Sequence, residues 1–275
     1  MSKTICIDAG HYGKYNRSPA VRSYYESDMN WKLHNYLAKE LEAYGFVVVK
    51  TRKSQDEDLG NTLRGKKAKG CDLFISIHSN AVDNKVHEDI DYPVVYVPIN
   101  GSADRIGVKL AKIVGTIMGT KQPGRIAERK GNNGDYYGVI RGAVSVGVPG
   151  IIIEHSFHTN TRSTKWLSVD SNLMAMAKAE ADAIAEHFGV EKPSVFYRVQ
   201  VGAYSVLANA RRTAQQLKDD GFDTYLVVDP DSGYIKVQTG AYANKENATK
   251  MAGKLRNKGY STYITTKGGE PVKGW

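Results

Sequence analysis

Apolar positions over residues 1–190 fall into two alternating spacings. Short, mainly apolar runs at 4–7, 46–49, 73–77 and 151–153 are closed by polar or turn residues, the pattern of buried strands. A further run at 92–98 contains Pro93 and Pro98, and it predicts an edge strand because proline cannot donate to a ladder. Between the runs, apolar residues recur every three or four positions. Trp31, Leu33, Leu37, Leu41 and Tyr44 predict a helix over 29–44, ended by Gly45. Other helices are expected over 61–69, 102–118 and 169–188, the first capped by Asn61 or Thr62 and closed by Gly70. Residues 19–28 and 121–138 show no period and read as loops, the second one glycine-rich, charged and mobile. Strands alternating with helices predict an α/β fold, a mostly parallel sheet covered by helices on both faces.

Beyond a short linker at 189–194 the chain repeats itself at an offset of 38 residues. Val199-Gln200-Val201-Gly202-Ala203-Tyr204 matches Val237-Gln238-Thr239-Gly240-Ala241-Tyr242, and Leu217, Gly221 and Thr224-Tyr225 match Leu255, Gly259 and Thr262-Tyr263. Each copy reads strand, helix, strand. Residues 195–275 are therefore expected to form a small α+β βαββαβ sandwich with four antiparallel strands and both helices on one face. Alternation places Arg198, Gln200, Lys236 and Gln238 on the open face and Val199, Val201 and Val237 against the helices. The chain thus divides into domains at 1–190 and 195–275.

Composition narrows the class. A hydrophobic content of 41% supplies a real core and excludes general disorder. Cys6 and Cys71 are too few for a disulfide framework and read as buried thiols. No apolar run reaches the roughly 18 residues of a membrane span, so no membrane insertion is expected. The first strand begins at Thr4, which leaves no room ahead of it for a secretory signal; synthesis in the cytoplasm without a signal peptide is expected, with action elsewhere only after release. A net charge of +9 favours an anionic partner such as nucleic acid, a membrane surface or an acidic wall polymer.

Three of the buried strands end on reactive side chains. His11 follows the first, His78 closes the Asp72 strand, and Glu154 closes the Gly150 strand, which together describe an active-site rim on an open α/β sheet. Glu26, at the start of the first helix, can supply a third ligand. Two histidines, one glutamate and an open fourth position form a catalytic zinc arrangement, with Glu154 as general base and proton shuttle. Asn80 and Arg141 are the candidate substrate contacts beside it. Other histidines compete. His34 and His187 lie within helices, and His87 sits among Glu88, Asp89 and Asp91 in a solvated loop. His155 and His158 flank the end of the Glu154 strand and rival His11 and His78 as ligands or substrate contacts.

Four stretches, Asp8-Ala9-Gly10-His11-Tyr12-Gly13, Glu26-Ser27-Asp28-Met29-Asn30, the run from Asp72 to Asn80, and Val148-Pro149-Gly150-Ile151-Ile152-Ile153-Glu154, resemble the motifs of zinc-dependent N-acetylmuramoyl-L-alanine amidases of the amidase_3 type, in family order. The resemblance implies zinc ligands at His11, Glu26 and His78 and a catalytic glutamate at Glu154. It also implies bracing roles for Thr51-Arg52 and Leu63-Arg64. Its implied reaction is cleavage of the amide joining N-acetylmuramic acid to L-alanine of the peptidoglycan stem peptide. The family usually has Pro where Ala9 stands, Gly where Tyr12 stands, and a small or apolar residue after the glutamate in place of His155-Ser156. Residues 195–266 resemble a SPOR domain, a module that binds glycan strands lacking stem peptides, which makes Gln200 and Gln238 candidate glycan contacts. The expected protein is a two-domain peptidoglycan hydrolase, a phage endolysin or a sporulation mother-cell amidase, with the former favoured. Competing readings are a wall-binding protein without activity, against which the intact His11, Glu26, His78 and Glu154 argue, and a nucleic-acid binder. The exposed phase of the central strands lacks the aromatic pair that a single-stranded RNA platform uses, so no nucleic-acid partner is expected.

Overall fold

The computed structural model describes residues 2–192 and 195–275, so Pro193 and Ser194 of the expected linker lie outside the described residues. The chain forms two compact units, one of residues 1–41 and 46–191 and one of residues 42–45 and 192–275.

The first unit runs β1 (Thr4–Ala9), α1 (Glu26–Tyr44), β2 (Val47–Lys50), α2 (Asn61–Lys66), β3 (Leu73–Asn80), β4 (Val94–Tyr96), α3 (Asp104–Met118), β5 (Arg125–Ala127), the pair β6 (Lys130–Gly131) and β7 (Gly134–Asp135), α4 (Gly138–Val144), β8 (Gly150–Phe157), α5 (Thr161–Leu167) and α6 (Asp170–Phe188). Its six-stranded sheet has the order β2-β1-β3-β8-β4-β5. All neighbours pair in parallel except β4 and β8. In β1, β3 and β8 one phase of side chains, Cys6, Phe74 and Ile152, packs on Val139, Ile140 and Ala143 of α4. The opposite phase, Ile5, Ile7, Ile75, Ile77, Ile151 and Ile153, is buried as well. Burial on both faces is why these runs are continuously apolar.

Three expectations change. β4 is not the sheet edge, because β5 pairs outside it. Pro93 and Pro98 stand just outside the three paired residues, and Pro93 needs only its carbonyl, which accepts from Arg125 N. The stretch 121–138 is structured: it supplies β5 and the β6–β7 pair, elements of two or three residues that are too short to show a period. Helix α1 begins at Glu26, within the expected loop, and α4 and α5 are seven-residue helices that the sequence pattern did not reveal.

Helices α2 and α4 cross backbone to backbone. A Cβ on Gly65 would collide with Val139 O, and one on Gly142 would collide with Thr62 O. Only glycine permits that approach.

Inside α1, His34 is buried and stacks on Trp31, with ring centroids 5.1 Å apart. Burial, and then the Lys50 and Arg52 charges, hold its pKa down at about 3, against an ordinary 6.5. The folded state therefore resists a proton that the unfolded chain accepts. This contribution to stability is complete above about pH 6.5 and is lost as pH falls toward 3. Between about pH 7.5 and about pH 5, wild type should lose about 2 kcal/mol more than His34→Leu in urea titrations. Parallel losses in the two proteins would show that His34 does not carry this dependence.

The second unit contains β9 (Tyr197–Tyr204), α7 (Leu207–Asp219), β10 (Tyr225–Val228), β11 (Ile235–Tyr242), α8 (Lys245–Asn257), β12 (Tyr263–Thr265) and β13 (Glu270–Pro271). The antiparallel sheet has the order β12-β9-β11-β10-β13, so a short fifth strand is added to the expected four. The repeat is a repeat of core positions. Val199, Ala210, Ala214 and Leu217 are buried together with Val237, Ala248, Ala252 and Leu255, their counterparts one period later. The Gly-Ala-Tyr signature has a steric cause: a Cβ on Gly202 would meet the Tyr204 ring, and one on Gly240 the Tyr242 ring. Each tyrosine lies back over the glycine two residues before it.

Candidate metal centre and active site

The reactive residues gather at the carboxyl ends of β1, β3 and β8. Ala9 pairs with Ile77, and His78 pairs with Glu154 across adjacent parallel strands. His11 lies just past β1 in left-handed backbone, φ 59°, which a non-glycine residue adopts at a cost that clusters at functional sites. The His78 ring packs against Gly10 so closely that any Cβ there would overlap it.

Glu26 comes in from the first turn of α1 and is 2% exposed. Its Oε1 stands 2.9 Å from His78 Nδ1 and accepts from Ser79 N at 3.1 Å. Its Oε2 stands 3.2 Å from His11 Nε2 and accepts from Asn16 Nδ2 at 2.6 Å. One donor atom from each of His11, Glu26 and His78 fits within a 4.8 Å span. Two neutral-nitrogen donors and a carboxylate converging at a cleft are the donor set of a zinc or similar transition-metal site with room for a further ligand. Burial works to raise the Glu26 pKa, but the hydrogen bonds to His11 and His78 hold it well below the usual carboxylate range.

Glu154 lines the same cleft, of about 490 Å³, with His11, His78, Tyr12, Tyr15, Asn61 and Tyr137. Its Oε2 is buried without a hydrogen-bond partner among the described residues. Burial, and then the Glu26 charge, push its pKa well above the usual range. Two carboxyls whose pKa values are driven apart is the arrangement by which one stays an anion and the other carries protons.

A buried network supports the floor. Asp8 is fully buried and accepts from Thr51 Oγ1 at 2.5 Å, Ser76 Oγ at 2.7 Å and Arg64 Nη1 at 2.9 Å. Ser76 Oγ in turn lies 3.1 Å from His78 Nε2, the nitrogen facing away from Glu26. Arg52 and Arg64 both donate to the Ala9 carbonyl. Hydrogen bonds of this kind orient ligand histidines. Sequence reasoning treated Asp8 as a turn signal and passed over Ser76 and Asn16. For Asp8 and Ser76 the available signal was a polar residue inside a strand otherwise buried on both faces; Asn16, between β1 and α1, carried none.

The remaining candidates divide. His155 is fully buried and does not line the cleft: its Nε2 lies 2.7 Å from Glu180 Oε1 and its Nδ1 2.9 Å from the His78 carbonyl. His158 is held by Ser79, with Nδ1 3.0 Å from its hydroxyl. Asn80 does not line the cleft either; its Oδ1 accepts from Ala81 N at 2.9 Å. Arg141 lines an adjoining groove and donates to the Asp135 and Tyr136 carbonyls at 2.7 and 3.1 Å. In the second unit Gln200 lines a groove with Tyr197, Lys236, Tyr263 and Lys267. Gln238 lies on the same face, directly opposite Gln200 across β9 and β11, but it is 2% exposed: the chain at Lys267 covers it, and its side-chain amide donates to the Lys267 carbonyl at 3.2 Å.

A sequence profile of the N-acetylmuramoyl-L-alanine amidases (Amidase_3) matches residues 5–186. The chain belongs to this amidase family. A SPOR domain profile matches residues 193–266, so the enzyme carries a wall-binding module behind its amidase domain. The N-acetylmuramoyl-L-alanine amidase CwlM of Bacillus licheniformis is 29% identical over 230 residues, covering 81% of this chain and 84% of the relative. A sporulation-specific N-acetylmuramoyl-L-alanine amidase of Bacillus subtilis is 25% identical over 71% of this chain and 72% of its own length. The endolysin of Bacillus phage SPP1 is 26% identical over 70% and 69%. Among solved structures, Cwp6 from Clostridium difficile shares the fold at TM-score 0.59 and 23% identity; the match covers 68% of this chain and 29% of that longer one. No helix among the described residues is long and apolar enough to cross a membrane.

Proposed function

We propose that residues 1–190 form a zinc-dependent amidase domain that hydrolyses the amide between N-acetylmuramic acid and the L-alanine of the stem peptide, and that residues 195–275 anchor it to glycan strands. The observation that carries this reading is the convergence of His11, Glu26 and His78 beside the unpartnered carboxyl of Glu154 in one cleft. Zinc held by those three residues supplies a Lewis acid for the amide carbonyl and for water.

The chain's own residues do the rest. Glu154 removes a proton from the attacking water as its oxygen bonds to the amide carbon. It returns that proton to the departing L-alanine nitrogen as the carbon–nitrogen bond breaks. The products are a muramoyl carboxylate and a free peptide amine. Asp8 and Ser76 keep the His78 ring in place while Glu26, anionic between two imidazoles, supplies the site's fixed charge.

Among biological settings we favour an endolysin, which reaches the wall once the membrane is opened, as the phage relative supports. The second reading is a sporulation amidase, supported by the relative of that name. Digestion of purified peptidoglycan followed by mass spectrometry tests the reaction: new L-alanine amino termini are expected, with intact glycosidic bonds. Elemental analysis should find about one zinc per chain. New reducing sugar ends, or stoichiometric zinc surviving in a His11→Ala, His78→Ala double variant, would refute the respective assignment.

A further inference from the structure

Tyr12 and Tyr15 follow the ligand His11 on the loop between β1 and α1, and both line the cleft. They are 43% and 50% exposed. Tyr15 stacks on His11 with centroids 4.8 Å apart and planes 15° apart. Tyr12 stacks on Tyr15 at 6.5 Å and 26°. The three rings form one aromatic wall that starts on a metal-ligand candidate and continues through two tyrosines that are each about half exposed. Among the described residues, no ring other than Tyr15 and no cation is placed on Tyr12. The groove on the other side, continuous with the cleft through Gly60, Asn61, Tyr137 and Gly138, is polar and holds Arg141. Arg129 lies over Tyr136 there, its guanidinium 3.6 Å from the ring centroid.

Resting on the amidase reading above, we propose that the Tyr12–Tyr15 wall is a sugar subsite, which receives the glycan on one side of the scissile amide while the stem peptide extends past Asn61 and Tyr137 toward the arginines. The chemistry divides that way. A pyranose presents an apolar C–H face and a polar rim, which match the face and hydroxyl of a tyrosine. It is neutral and offers a guanidinium no ion pair. The peptide ends in a carboxylate, for which arginine is the better partner. Tyr12 stands one ring farther from the site than Tyr15, so it meets the sugar beyond the muramoyl residue whose amide is cut.

The test compares two soluble substrates on the full-length, zinc-loaded protein: a muramoyl dipeptide with one sugar and the same dipeptide on a tetrasaccharide. In wild type the longer glycan should raise kcat/KM, mainly through KM. Tyr12→Ala should cut the ratio of the two kcat/KM values roughly 2- to 10-fold, the size of one aromatic stacking contact, and Tyr12→Trp should restore it. An unchanged ratio in Tyr12→Ala, with wild type cleaving both substrates, overturns the sugar subsite alone. So does a ratio lowered equally by Tyr12→Ala and Tyr12→Trp, because a stacking surface is then not what matters. Wild type cleaving neither substrate overturns the amidase reading and the subsite with it.

Discussion

Glu154→Ala is expected to fold and to bind metal as wild type does, and to lose about 10²–10⁴-fold in turnover, the usual contribution of a positioned acid–base group. Metal retention follows from geometry, since the three donors that converge are His11, Glu26 and His78, and Glu154 is not among them. Loss of turnover follows from placement. The carboxyl lines the cleft beside His78, burial makes it a stronger acceptor for a proton taken from water, and its Oε2 spends no hydrogen bond on the protein. Turnover of muropeptide and metal content measured on one preparation separate the two effects. A variant within a few-fold of wild type would mean that another group moves the proton, and neither His155 nor His158 lines the cleft to do so.

Asp8→Ala should cost about 3–5 kcal/mol of stability, because it strands a buried cation. Arg64 is nearly inaccessible and loses its carboxylate; Thr51 and Ser76 each lose an acceptor. Asp8→Asn, which keeps the shape but not the charge, should lie between the alanine variant and wild type. Chemical denaturation of the three proteins reads the difference, and an alanine variant within about 1 kcal/mol of wild type would show that the network is not holding the sheet floor.

The convergence of His11, Glu26 and His78 was legible in part: His11 and His78 stand at the ends of apolar runs, whereas Glu26 opens a helix whose apolar period reads only from residue 29. The parallel sheet was legible for the same reason, since burial on both faces writes continuous apolar runs. What escaped was short or non-local. β5 and the β6–β7 pair are too brief for any period, and the inner place of β4 depends on β5 pairing outside it. Gln238 keeps the face that alternation gives it, opposite Gln200, but its burial was not legible, because the Lys267 carbonyl that covers it comes from a segment 29 residues later. Ser76 gains meaning only beside Asp8, 68 residues earlier.

The meeting of α2 and α4 through Gly65 and Gly142 acts as a fixed gauge for one side of the cleft. Asn61, Tyr137 and Gly138, which line it, ride on the two segments that touch there. The spacing of that side is set by main chain resting on main chain, with no side chain between to be exchanged for a longer or shorter one. Residues facing the substrate can therefore be replaced, and the chemical offer of the wall altered, while its position stays the same.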